Sequence, residues 1–333
     1  MATPPSPPAQ PFVYLDSSTL HSLLPPQTLI PHFHSTLPSV SSSIHSPPRL
    51  SYPLPVPSSL LLLMPSWSSH PSLPYLGVKL LTSFPSSSSH GGGVHGSYSL
   101  FHSLSGRPLA SLDGSALTLL RTSAVSALAS LLLSRPSPSV LLLAGAGSLA
   151  PYLVAAHRAA RPSINRIILW NRTPKKAQEL AHLLQEQETH RGGDATFEHA
   201  ELLDDVVPLS DIVSCATSSL DPLIKGELLK RGAHLDLVGS FTPAMRECDD
   251  EALMRGRVFV DFETAMEEAG ELVGAFKRGV MTREDVAGTL VELAGGKKVG
   301  RRDEEELTVF KSVGTAVVDI LAAQLAYEAY MKR

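Results

Sequence analysis

The stretch from Ser139 to Thr173 limits what this chain can become more than any other. Val140 to Ala144 is apolar without alternation, the pattern of a parallel strand covered on both faces. Gly145, Gly147 and Ala150 then occupy the positions of a G-x-G-x-x-G/A turn. The first glycine permits the tight bend, the second lets backbone approach a pyrophosphate, and the alanine lets a helix sit close to the sheet. A helix is expected from about Ser148, with the N–H groups around Ser148 and Leu149 facing the phosphates. Pro151 in its first turn costs no hydrogen bond. A second strand, Arg166 to Trp170, ends in Asn171-Arg172-Thr173. An NAD-binding unit usually carries an acid there for the ribose hydroxyls, whereas an arginine suits a 2′-phosphate. The cofactor expected is therefore NADPH, with NADH the alternative. Thr173 and Pro174 also read as N-cap and first residue of the next helix.

At 333 residues and 43% hydrophobic, the chain has material for two domains. A net charge of −4 gives no electrostatic reason to expect nucleic acid or an anionic membrane. Cys215 and Cys248 are the only cysteines, too few for a disulfide framework or a zinc site, and they suit a reducing compartment. The strongly apolar runs, such as Leu60 to Met64, are far shorter than the roughly 20 residues that span a bilayer. The N-terminus has no signal-peptide pattern and no Arg or Lys before Arg49. The expectation is a soluble intracellular protein of the cytosol or a plastid.

The fold class expected is α/β, a Rossmann-type parallel-sheet domain with an α+β substrate and dimerisation domain. Residues 1–114 are rich in Ser, Pro and His, and their aliphatic and aromatic runs (Phe12 to Leu15, Leu60 to Met64, Tyr75 to Leu81, Tyr98 to Phe101) read as strands. Ser115 to Ser134 has helical apolar spacing and opens the parallel-sheet domain, expected over 115–304. Within it, Pro174 to about Glu188 reads as a helix and Gln185 to Asp194 as a polar turn region. Further strands are expected at Ala195 to Phe197, Ile212 to Ala216, His234 to Val238 and Val258 to Val260. The basic cluster Lys297 to Arg302 reads as a solvated turn. Residues 305–333 are expected to return to the first domain, with Leu307 to Tyr330 one long amphipathic helix.

Lys79 lies in a run with the composition of a buried strand. Burying an ammonium without a partner is costly, and residues 1 to 112 contain one acid, Asp16, so the expected partner is a ligand anion. Arg49 offers a planar guanidinium for bidentate binding of a carboxylate. Arg121, in the connecting helix, is a candidate for the cofactor phosphates or the substrate. His90, before Gly91-Gly92-Gly93, joins the cofactor-binding candidates. The other N-terminal histidines lack metal-ligand spacing, and no metal site is expected.

These pieces together resemble the ornithine cyclodeaminase and mu-crystallin family over nearly the whole chain. They are Pro-Pro-Arg49, Met64-Pro-Ser-Trp67, Gly77-Val-Lys79, Pro108-Leu-Ala110 to Asp113-Gly114, Leu117-Thr118-x-x-Arg121-Thr122 and Gly145-Ala-Gly147. Ala160-Arg-Pro162, Trp170-Asn-Arg-Thr173, Cys215-Ala-Thr217 and Phe310-Lys-Ser-Val-Gly314 complete them. His45 to Pro53 and Leu61 to Ser69 further resemble the family's plant branch, ketimine reductases of pipecolate formation from lysine.

The resemblance implies a homodimer built through the N-terminal domain and an active site in the cleft beside each Rossmann domain. It implies that Arg49 and Lys79 hold the substrate carboxylate and that Arg121 and Thr122 lie near the cofactor. Asn171, Arg172 and Thr173 would hold the adenosine 2′-phosphate, Ser312 would lie near the nicotinamide end, and Thr217 joins the cofactor-binding set. Cyclodeaminases carry an Asp in the segment reading Val238-Gly-Ser-Phe-Thr-Pro243, opposite Phe241 here. A phenylalanine cannot move protons. The reaction implied is hydride transfer from NADPH to the C=N carbon of a cyclic imine carboxylate, Δ1-piperideine-2-carboxylate, giving pipecolate. The alternatives are an ornithine cyclodeaminase or alanine dehydrogenase of the same family, or a mu-crystallin-like protein that binds NADPH and a small ligand.

Overall fold

The computed structural model describes residues 11–84 and 93–333, and these fall into two compact units. The first unit takes the chain through Pro25, then Ser42–Thr118 and Ala316–Arg333; the second takes Pro26–Ser41 and Leu119–Thr315.

The first unit opens with β1 (Val13–Leu15) and α1 (Ser17–Leu23), where the Asp16 carboxylate accepts from the Thr19 N–H at 2.8 Å as N-cap. The next helix, α2 (Pro26–Val40), belongs to the second unit although 1–114 was expected to be a single domain. Then come β2 (Ile44–His45), β3 (Leu50–Pro53), β4 (Leu60–Ser68), β5 (Tyr75–Phe84), β6 (Gly93–His102) and β7 (Pro108–Asp113). The sheet order is β1-β7-β6-β5-β4-β2, with β3 also on β4, and only β1 and β7 run parallel. Side chains alternate across it. Met64, Ser66, Lys79, Leu81, Tyr98 and Leu100 are buried, while Leu63, Trp67, Val78 and Leu80 on the other face are half-buried or exposed. The C-terminal helix, Ala316–Met331, packs over β4, β5 and β6.

The second unit begins in α3 (Gly114–Leu133) and continues β8 (Val140–Ala144), α4 (Ala150–Ala160), β9 (Arg166–Trp170), α5 (Pro174–His190), β10 (Thr196–His199), α6 (Leu203–Val206), β11 (Ile212–Cys215) and β12 (His234–Leu237). It ends with α7 (Asp250–Arg255), β13 (Arg257–Val260), α8 (Ala265–Glu268), α9 (Gly270–Arg278), β14 (Gly288–Thr289), α10 (Leu290–Ala294) and β15 (Thr308–Lys311), after which the C-terminal helix is α11. All eight strands are parallel, in the order β10-β9-β8-β11-β12-β15-β13-β14. The order reverses at β8. In a doubly wound sheet such a point opens a crevice at the carboxyl ends of the strands.

Five expectations change. Leu307 to Tyr330 is not one helix: Thr308–Lys311 is a fully buried strand between β12 and β13, and Gly314, at φ 76°, breaks the chain before α11. The helix after the glycine turn starts at Ala150 rather than Ser148, and α5 extends through the expected turn to His190. Arg301 is no solvated charge, since its guanidinium donates to the carbonyls of Leu133 (2.8 Å) and Ala233 (3.2 Å) and to the Thr308 hydroxyl (3.2 Å). Finally, α3 is 20 residues long and apolar enough to cross a bilayer by length and composition, with 72% of its apolar window buried inside the protein.

A buried polar network crosses the second unit's sheet. His157 on α4 sets Nδ1 2.9 Å from the Ser130 hydroxyl and Nε2 3.3 Å from Asp236, which also accepts from Ser214 at 2.6 Å. Beside it, His234 Nδ1 lies 3.0 Å from the Thr308 hydroxyl, and burial pushes its imidazole down to about 3.

Candidate active site

The carboxyl ends of β8, β9 and β11 carry the glycine turn. Gly145 has φ 117°, and a Cβ there would stand 2.5 Å from the Ala216 carbonyl oxygen, so the turn closes only with glycine. Around Gly147 nothing lies within 4 Å of a Cβ position. That open, exposed backbone at the start of α4 fits a pyrophosphate, which needs N–H groups and no side chain in its way. Ser148 is exposed and Leu149 half-buried.

At the end of β9, Arg172 and Thr173 are both exposed, with no acid among residues 171–173. Asn171, expected at the adenosine phosphate, also has a structural task. Its Oδ1 accepts from the Ala146 N–H at 3.2 Å and its Nδ2 donates to the Thr173 carbonyl at 3.0 Å, tying the two turns together. Thr173 occupies the N-cap position without capping through its side chain.

Two buried carboxylates that the sequence reading passed over shape the neighbouring loops. Glu247 accepts from the Thr217 N–H (2.7 Å), the Thr217 hydroxyl (2.8 Å), the Gly239 N–H (2.8 Å) and the Ser240 N–H (3.2 Å). It joins the loops after β11 and β12, and Thr217, expected at the cofactor, donates its hydroxyl to this carboxylate. Burial pushes the Glu247 carboxyl up to about 7, with Lys311 opposing and Glu271 reinforcing the shift. Asp261 accepts from the N–H groups of Val313 (3.0 Å) and Gly314 (2.9 Å), fixing the segment after β15 that contains the buried Ser312. Gly314 in turn makes room for Arg121, whose Nη1 would stand 2.7 Å from a Cβ there. Arg121 is buried on α3, with Thr122 half-buried beside it. Phe241 lies on the loop after β12 and is 45% exposed. The only sequence signal for Asp261 was an acid placed directly after a buried strand.

In the first unit, Lys79 is fully buried on β5, opposite Met64 on β4 and Tyr98 on β6. The expectation that its partner must be a ligand was incomplete. Asp319 on α11, also fully buried, places a carboxylate oxygen 2.7 Å from its ammonium. The acid-poor first hundred residues hid this pair, because its acid arrives from the other end of the chain. Tyr98 is fully buried beside them, and burial first, then the Asp319 charge, pushes its phenol above the usual range. A Cβ on Gly77 would overlap the Tyr98 hydroxyl, so glycine is required there. Arg49, half-buried, directly precedes β3, whose Leu50 pairs with Leu63; this puts it level with Met64, the residue facing Lys79. His90 lies outside the described residues.

A model of the ornithine cyclodeaminase/mu-crystallin family matches residues 16–333. Protein SAR DEFICIENT 4 of Arabidopsis thaliana is 55% identical over 322 residues, which is 96% of this chain and 98% of that protein. A Δ1-pyrroline-2-carboxylate reductase of Colwellia psychrerythraea is 36% identical over 272 residues, covering 80% of this chain and 82% of its own. The structure of the Thermococcus litoralis Δ1-pyrroline-2-carboxylate reductase in complex with NADH and L-proline matches with TM-score 0.88 at 28% identity, covering 96% of this chain and 97% of that one.

Proposed function

The chain belongs to the ornithine cyclodeaminase/mu-crystallin family, and from that premise we propose that it is an NADPH-dependent oxidoreductase that reduces the C=N bond of a cyclic imine carboxylate. The substrate we favour is Δ1-piperideine-2-carboxylate, and the product pipecolate. The observation that carries imine reduction is the likeness, over nearly the whole chain, to a structure holding NADH together with L-proline; the choice of NADPH rests on Arg172 instead. L-Proline is what reduction of a five-membered cyclic imine carboxylate yields, and pipecolate is its six-membered counterpart.

The residues present suit the cofactor. Open backbone at Gly147 and the start of α4 would receive the pyrophosphate, and the exposed Arg172, with no acid beside it, would receive a 2′-phosphate. Arg121, Thr122 and Ser312 would border the remainder. When bound, the cofactor supplies the hydride. Arg49 and Lys79 would fix the substrate carboxylate, one by a planar fork and the other by a buried ammonium. The ring nitrogen can arrive already protonated, so no strong acid is required of the protein. Phe241, where cyclodeaminases of the resemblance carry an acid, supports reduction over deamination.

The exposed face of the first unit's sheet supports a homodimer. Leu50, Leu63 and Leu80 form one row across β3, β4 and β5, with Trp67 and Tyr52 on the same face. Exposures of 51% for Leu50, 49% for Tyr52, 39% for Trp67 and 37% for Leu80 mark a surface that a second copy would cover. A spectrophotometric assay with five- and six-membered cyclic imine carboxylates, each with NADPH and NADH, tests substrate and cofactor together. Turnover that favours the six-membered ring with NADPH supports the reading; ammonia release from ornithine would support a cyclodeaminase instead.

A further inference from the structure

Lys79 has a task in the proposed reaction, and its buried partner Asp319 has one too. We propose that Asp319 acts on the reaction through Lys79, as the fixed counter-charge that keeps the buried ammonium protonated and held for the substrate carboxylate. This inference rests on the role proposed for Lys79.

Both side chains of the pair are 0% exposed at 2.7 Å. A buried ammonium with no opposing charge is driven toward its neutral form, by several pH units at fully buried sites. Among the groups facing it, β4 offers Met64 and Ser66, β6 offers Tyr98, and α11 offers Asp319. Tyr98 stays neutral at ordinary pH, because burial and the Asp319 charge both resist its ionisation. The other titratable groups of α11 near β5 are Tyr327 and Glu328, and Glu328 is engaged by the Tyr75 hydroxyl at 3.0 Å. Asp319, at 2.7 Å, is an acid placed to hold the charge. Asp319 contacts Lys79 directly, which makes it a positioning residue for the reaction.

The test is the ratio of variant to wild-type kcat/KM for the cyclic imine between about pH 6.5 and pH 9.5, in which the substrate's own ionisation cancels. For Asp319→Asn the ratio is expected to fall about tenfold per pH unit above a midpoint inside that range, as Lys79 loses its proton. For Asp319→Glu, which restores the charge, the ratio is expected to be lower than one but flat. A flat ratio for Asp319→Asn overturns the proposal, since a purely structural role would lower activity equally at every pH. Should Asp319→Asn fail to fold, the wild type decides: the 13Cε resonance of Lys79, assigned by its loss in Lys79→Met, is expected not to titrate below about pH 10, and titration below about pH 9 overturns the proposal. Full activity of Lys79→Ala would instead overturn the reading of the site itself.

Discussion

A Cβ on Gly145 would stand 2.5 Å from the carbonyl oxygen of Ala216, which binds the first turn of the parallel sheet to the end of the neighbouring strand. Gly147, two residues on, meets no such neighbour. The two glycines should therefore fail differently. Gly145→Ala is expected to lower stability by roughly 1–3 kcal/mol, because φ 117° and the close carbonyl both resist a side chain. Gly147→Ala is expected to leave the Tm unchanged while weakening NADPH binding. Thermal unfolding and fluorescence titration of the cofactor separate the two outcomes.

Arg172 stands exposed at the end of β9 with Asn171 turned inward to the glycine turn. Arg172→Ala is expected to raise the KM for NADPH about tenfold or more and to leave that for NADH nearly unchanged, a loss on the order of 1.5–3 kcal/mol for one charged hydrogen-bonding group. The ratio of kcat/KM for the two cofactors is the measurement.

The buried Lys79–Asp319 pair also bears on stability. Lys79→Met strands the Asp319 carboxylate in an apolar interior, and a loss of about 3–5 kcal/mol is expected. The double variant Lys79→Met/Asp319→Leu should recover most of it without recovering activity. Urea denaturation of the wild type, Lys79→Met, Asp319→Leu and the double variant forms the cycle that checks this.

His234 is buried and neutral, its imidazole held down to about 3 against about 6.5 in an unfolded chain. Between those values the unfolded state binds the extra proton, so stability falls as pH drops from about 6.5 toward 3. A His234→Gln variant lacks this contribution. From pH 7 to pH 5 the wild type is expected to lose about 2 kcal/mol more than the variant, a difference that urea unfolding at the two pH values measures.

The parts of the fold that were legible are those where one local pattern decides the outcome. Val140–Ala144 reads as a covered parallel strand from its unbroken apolar run, and the glycine spacing after it, with strand before and helical pattern after, as a tight turn toward a helix. The strand Thr308–Lys311 was hidden because four residues carry too little periodicity, and the apolar helix that follows absorbed them into its pattern. Asp319 was hidden for another reason. Its partner lies at the other end of the chain, and no local window joins an acid on α11 to a lysine on β5. Glu247 sits in the charged run Arg246 to Glu251, where nothing distinguishes a buried acid that holds two loops from the half-buried Asp249 and Asp250 and the exposed Glu251 beside it.

The most direct measurement is NADPH oxidation by the purified wild-type protein and Lys79→Ala with Δ1-piperideine-2-carboxylate, alongside cofactor titration of both. Turnover by the wild type, its loss in Lys79→Ala and equal NADPH binding by the two are expected. A wild type that binds NADPH tightly yet turns over neither this imine nor its five-membered counterpart would contradict the account.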